Sequence, residues 1–218
     1  MKSVSNDKTA VQIPSGTAII NGNLEVPEGA NGIVLFAHGS GSSRFSPRNT
    51  YVARLINKEG IATLLVDLLT EEEDAVDEYT GQFRFNVDML AERLTDSTQW
   101  LKRRKIGKEL SIGYFGASTG AAAALIAAAK FPDDVRAVVS RGGRPDLAGK
   151  KLSKVKAPTL LIVGGDDTEV LDLNRQALKL IKAEKKLEVV PGATHLFWEP
   201  GKLREVAELT IDWFKKYL

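Results

Sequence analysis

Short apolar runs rich in β-branched and aromatic residues alternate along this chain with longer stretches of helical spacing, and that alternation leaves few architectures open. The runs lie at 33–37, 61–66, 110–115, 135–139, 159–163 and 187–190; helix-like spacing fills 47–58, 85–105, 119–130, 173–183 and 203–217. Parallel strands need a long crossover between them, usually a helix, so the pattern predicts an α/β fold covered on both faces. The N-terminal part differs. Residues 9–13 and 17–26 read as a meander turning at Pro14-Ser15-Gly16 and Asn21-Gly22-Asn23, which places antiparallel strands ahead of the parallel set. The expectation is a mostly parallel sheet of about eight strands with helices on both faces. At 218 residues, with no repeat and no linker, it forms a single domain spanning residues 1–218.

Two boundaries have a mechanism. Ser46-Pro47 suits a helix start, with serine as N-cap and proline where a missing N–H costs nothing. Ala157-Pro158 belongs just before a strand, because proline holds the preceding residue in extended conformations. The connection between the strands ending near Val139 and starting near Thr159 is too short to hold a cap domain over a site.

Composition removes several classes of function. Thirty basic residues against twenty-eight acidic ones leave no long-range attraction to nucleic acid or to an anionic membrane. The run Lys102-Arg103-Arg104-Lys105 falls at an expected helix end, where cations meet the helix dipole favourably. Without cysteine there are no disulfides, no thiolate catalysis and no cysteine-based metal site. Residues 1–10 lack the apolar segment of a secretory signal, which favours the cytoplasm. The most apolar stretch, Ala121 to Ala129, is far shorter than the roughly 20 residues of a membrane span and reads as a buried helix.

The chemistry gathers at the strand ends. The strand at 110–115 runs into Gly116-Ala117-Ser118-Thr119-Gly120, and an alanine-rich helical segment follows at once. This is a G-x-S-x-G nucleophile elbow in its strand-turn-helix context, with Ser118 held in a strained turn beside a helix N-terminus. Where such an elbow serves acyl transfer, the acid and then the histidine follow it in the chain. Leu160-Leu161-Ile162-Val163 ends in Gly164-Gly165-Asp166-Asp167, and His195 lies on the loop after the next strand. These positions predict Ser118 as nucleophile, His195 as general base and an aspartate that orients the base. Adjacent side chains rarely point the same way. Asp167, two residues past the glycine pair, has room to turn back over the sheet edge, and Asp166 remains the alternative, otherwise a turn or capping residue.

A fourth segment, Ala37-His38-Gly39-Ser40-Gly41-Ser42-Ser43, follows an apolar strand. Its expected part is one backbone N–H of an oxyanion hole, from Ser40, with the second from Thr119. His38 is expected to hold that loop by a hydrogen bond. Arg44, Arg141 and Arg144 are candidates for clamping an anionic substrate, against the alternative that they tie loops to neighbouring acids. No metal site and no cofactor are expected: there is no P-loop and no His-x-x-x-His pair. A rival reading takes Gly39-x-Gly41 and Asp67 as a dinucleotide-binding βαβ unit, although its third glycine is missing and the Ser118, Asp167, His195 series would go unexplained. A ligand-binding protein without turnover is a further alternative.

At these motifs the chain resembles the α/β-hydrolases of the dienelactone-hydrolase-like branch, and more closely the small hydrolases found alone or joined to phosphoribosyltransferase domains. The likeness runs through His38–Arg44, Ser46-Pro47-Arg48-Asn49, Ser140–Leu147, Leu173–Ala177 and Pro191–Phe197, nearly the whole chain. It implies the α/β-hydrolase fold without a cap domain, the same serine and histidine, and Asp167 as the acid. Dienelactone hydrolases proper carry cysteine where this chain has Ser118. The expected activity is hydrolysis of small carboxylic esters or lactones, with a small-molecule ester as partner. The sequence leaves the natural substrate and the oligomeric state open.

Overall fold

The computed structural model describes residues 8–104, 107 and 109–218. Lys105, where the helical reading of 85–105 ended, lies outside the described residues, as do residues 1–7 of the segment read for a secretory signal.

Eight strands form one sheet among the described residues: β1 (Lys8–Ser15), β2 (Ala18–Glu25), β3 (Gly32–Ala37), β4 (Ala62–Val66), β5 (Ser111–Ala117), β6 (Val135–Arg141), β7 (Thr159–Gly164) and β8 (Lys185–Val190), in the order β1-β2-β4-β3-β5-β6-β7-β8. β2 pairs antiparallel with both β1 and β4, and every other neighbour is parallel. The helices described end to end are α1 (Pro47–Lys58), α2 (Glu71–Thr80), α3 (Val87–Lys102), α4 (Thr119–Lys130), α5 (Thr168–Leu180) and α6 (Lys202–Tyr217). Successive residues of a strand point to opposite faces, and β3 shows what that does here. Ile33, Leu35 and Ala37 join the core under α3, α4 and α5, while Val34 and Phe36 join the core under α1 and α6. Both faces of the central strands are therefore dry, which is why those strands read as unbroken apolar runs.

Ser46 caps α1 by accepting the Asn49 N–H, with Pro47 at the first helical position, and β7 starts directly after Pro158. Between β6 and β7 the chain forms only a kinked 3-10 segment, Pro145–Lys154, so no cap covers the carboxyl edge of the sheet. Among the described residues no helix is long and apolar enough to cross a membrane.

Two expectations need correction, and one helix goes beyond them. Asn21-Gly22-Asn23 is not a turn. Those residues pair with β1 and β4 inside a continuous β2, and Gly22 is where Val11 and Leu64 close in, each 3.1 Å from where a Cβ would stand. The close approach, rather than a bend, accounts for the glycine. Helix α5 begins at Thr168, five residues before the apolar spacing was read, because its first turn is polar and exposed up to Val170. Helix α2 was not anticipated. It opens with a reciprocal capping box between Thr70 and Glu73 and closes on Gly81 in the left-handed conformation, with only Asp77 buried.

Candidate active site

Strand β5 delivers Ser118 at the first position past its end, with φ 51° and ψ −122°, a left-handed backbone on a residue that ordinarily avoids it. The turn is tight enough to need its flanking glycines. A Cβ on Gly116 would stand 2.4 Å from the Ala121 Cα, and one on Gly120 would stand 2.3 Å from the Ala37 carbonyl oxygen. Ser118 is thereby held at the N-terminus of α4, with its side chain free of any capping bond.

Asp167 occupies the N-cap position of α5 and does not cap it. Its carboxylate turns to the next loop instead, where Oδ2 accepts from His195 Nδ1 at 2.6 Å. Asp166 is exposed and its carboxylate has no hydrogen bond among the described residues. Of the two adjacent aspartates, Asp167 is the one brought to the histidine. The loop is fixed at both ends. Asp166 N–H donates to the Ala193 carbonyl at 3.0 Å, Thr194 donates twice to Glu199 Oε1, and buried Phe197 takes a left-handed φ of 57°.

With Nδ1 bound to the carboxylate, His195 keeps Nε2 for the cavity that it shares with Ser118. That cavity is about 180 Å³, and Ser40, Arg48, Arg141 and Leu196 also line it. Ser118 and His195 line the same cavity without a hydrogen bond between them. Across the cavity, Ser40 Oγ lies 3.2 Å from Thr119 Oγ1, which joins the loop after β3 to the first turn of α4. The Ser40 and Thr119 amides have no acceptor among the described residues. No group of three or more His, Asp or Glu converges among those residues to hold a metal ion.

His38 anchors that loop from beneath. Its Nε2 accepts from the Leu68 N–H at 2.9 Å, so the proton must be on Nδ1, which donates to the Gly39 carbonyl at 2.9 Å. Burial pushes the imidazole below its ordinary value of 6.5, against the pull of Asp67 and Asp74. A histidine kept neutral in the fold makes the unfolded chain the better proton acceptor. Stability therefore falls as the pH drops below about 6.5, by up to about 1.4 kcal/mol per pH unit until the lowered folded-state value is reached. His38→Gln should flatten that slope in melting curves recorded from about pH 7 to 5. An unchanged slope would show that His38 does not carry it.

The three arginines part company. Arg44 donates from its backbone to Asp67 at 2.7 Å and pairs its guanidinium with the same carboxylate, lining another cavity of about 200 Å³ with Asp67, Thr70 and Asp74. Asp67 is thus engaged, which removes the acid that a dinucleotide reading needed for a ribose. Arg144 is bound at two points to Asp146, at 2.9 and 2.8 Å. Arg141 alone of the three lines the cavity beside Ser118. Arg48, which the sequence reading did not single out, lines it too, with its guanidinium 4.9 Å over the Trp198 ring.

The sequence profile of the dienelactone hydrolase family matches residues 20–218. A Mycobacterium tuberculosis protein that carries the provisional name of a phosphoribosyl transferase is 56% identical over 208 residues, which are 95% of this chain and 46% of that protein. The chain thus spans about half the length of such curated relatives. Among solved structures, a dienelactone hydrolase from Anabaena variabilis is 54% identical, with a TM-score of 0.96 over 98% of this chain and 99% of that one. Est1E from Butyrivibrio proteoclasticus shares the fold at 17% identity, with a TM-score of 0.79 over 95% of this chain and 98% of that one.

Proposed function

The chain belongs to the dienelactone hydrolase family, and from that premise we propose that it is a serine hydrolase which cleaves small carboxylic esters or lactones through an acyl-enzyme on Ser118. One observation carries the reading. In the neutral imidazole, the 2.6 Å bond from His195 Nδ1 to Asp167 puts the proton on Nδ1 and leaves Nε2 as the acceptor toward the cavity that Ser118 lines.

In the reaction, His195 Nε2 takes the Ser118 proton as Oγ bonds to the ester carbonyl carbon, and the Ser40 and Thr119 N–H groups hold the resulting oxyanion. Collapse expels the alcohol, which leaves with the proton from His195. Water then attacks the acyl-enzyme by the same route, and the carboxylic acid departs. Asp167 stays ionised and stabilises the transient imidazolium. A lactone reacts alike, with its leaving alcohol tethered to the acyl group.

Size selects the substrate. A cavity of about 180 Å³ matches the liquid volume of on the order of six water molecules, and no cap extends it over a long acyl chain. That supports a preference for short acyl groups over lipid chains.

A fluorophosphonate probe tests the chemistry directly, because it forms a stable adduct only with a serine that an adjacent base activates. The expected result is a single adduct, which peptide mass spectrometry places on Ser118. No labelling would favour a ligand-binding protein on this fold, and labelling at Ser40 or Ser42 instead would move the nucleophile to that serine.

A further inference from the structure

Two guanidinium groups in the cavity beside Ser118 have no acid to answer them. Arg141 ends β6, opposite Ala117 in register, and is only 6% exposed. Its Nε is buried without a partner, and its one side-chain hydrogen bond is a long one, 3.4 Å from Nη2 to Asn49 Oδ1. Arg48 stands in the first turn of α1 with its Nε likewise buried and unpartnered. Neither forms an ion pair among the described residues, whereas Arg44, Arg84, Arg93 and Arg144 each hold a carboxylate.

Burying a cation without a counter-charge is costly, and placing a second cation nearby adds repulsion. Both effects act on Arg141, whose guanidinium is pushed down to about 10 by burial first and by Arg48 second. It stays charged at neutral pH. Folding alone gains nothing from such a pair, but an anion entering the cavity removes both penalties at once. The neighbouring groups point the same way. Ser46 and Asn49 also line the cavity, so the positive end of the α1 dipole borders it. Ser46 Oγ accepts from the Asn49 N–H at 3.4 Å, which leaves its hydroxyl proton to donate.

We propose that Arg141 and Arg48, with Ser46, form a subsite for a doubly charged tetrahedral oxyanion, a phosphate group carried by the substrate a few bonds from the carbonyl that Ser118 attacks. The word substrate rests on the hydrolase reading; the anion subsite does not. Charge decides the class. Two unanswered positive charges are neutralised by a dianion, whereas one carboxylate would leave a buried cation exposed to its like. Geometry agrees, since the donors arrive from β6 and from α1, and the terminal oxygens of a phosphate accept in several directions. Adjacent strands lie about 4.8 Å apart, so a group on Arg141 is close to the elbow that follows Ala117.

Binding is best read without turnover, in Ser118→Ala protein titrated calorimetrically with inorganic phosphate and with acetate at about pH 8. Saturable binding of one phosphate per chain is expected, with acetate at least about tenfold weaker. Arg48→Gln and Arg141→Gln should each weaken phosphate at least about tenfold, the loss of one charge-assisted contact. Arg48 is only half-buried, so its variant keeps the test alive if Arg141→Gln fails to fold. No saturable phosphate binding, or equal binding by Arg48→Gln, would overturn the subsite; acetate as tight as phosphate would overturn the dianion. Phosphate binding to Ser118→Ala protein together with no fluorophosphonate labelling of the wild type would leave the subsite standing and remove the hydrolase reading, and wild-type labelling without phosphate binding would do the reverse.

Discussion

Replacing Ser118 by alanine is expected to lower kcat on short p-nitrophenyl esters by about 10⁴-fold or more while leaving the melting temperature close to that of the wild type. The size of the loss follows from covalent catalysis. Without Oγ there is no acyl-enzyme, and what remains is water attacking an ester held by the Ser40 and Thr119 amides. Stability should hold because the hydroxyl makes no capping bond, and alanine meets the same left-handed backbone that serine already tolerates. Steady-state kinetics beside a circular-dichroism melt would decide it. Turnover within about tenfold of wild type would move the nucleophile elsewhere.

Asp167→Asn should cost nearly as much, a fall in kcat on the order of 10⁴-fold, whereas Asp166→Asn should change it by less than about threefold. An asparagine amide can donate to Nδ1, and the imidazole then carries its proton on Nε2, where it cannot accept one from Ser118. The charge that steadies the imidazolium is lost as well. Asp166 has no such partner, being exposed with only its backbone N–H bound to Ala193. Kinetics of the two variants measured side by side supply the test, and the reverse ranking would hand the orienting role to Asp166.

What was legible in the sequence was whatever leaves a local mark. The span of α1 could be read at both ends because Ser46-Pro47 announces its start and its buried positions recur at helical spacing up to Asn57. The strands under two helical layers had no polar alternation to confuse them. By contrast, α2 buries almost nothing, and Val76 and Tyr79 face solvent, so apolar spacing is silent there. The signal that could have found it was the Thr70-x-x-Glu73 box with Gly81 behind it. Arginines expose the harder limit. The pairing of Arg144 with Asp146 lies two residues away and was open to inspection, but Asp67 lies 23 positions from Arg44, and only the fold brings them together. Arg48 escaped notice for a related reason. Near a helix start it resembles any solvated cation, and its meaning comes from Arg141 on a distant strand.

The division of the cavity between segments has an evolutionary consequence. Ser118, Asp167 and His195 come from the turns after β5, β7 and β8, whereas Arg48, Ser46 and Asn49 come from the single first turn of α1. Arg141, at the end of β6, is the part of the proposed anion subsite that lies outside that turn, and mutation can rewrite the turn while the three other loops stay as they are. On the proposed reading, a lineage built on this scaffold can thus change what the α1 turn contacts through a few neighbouring codons without touching Ser118, Asp167 or His195.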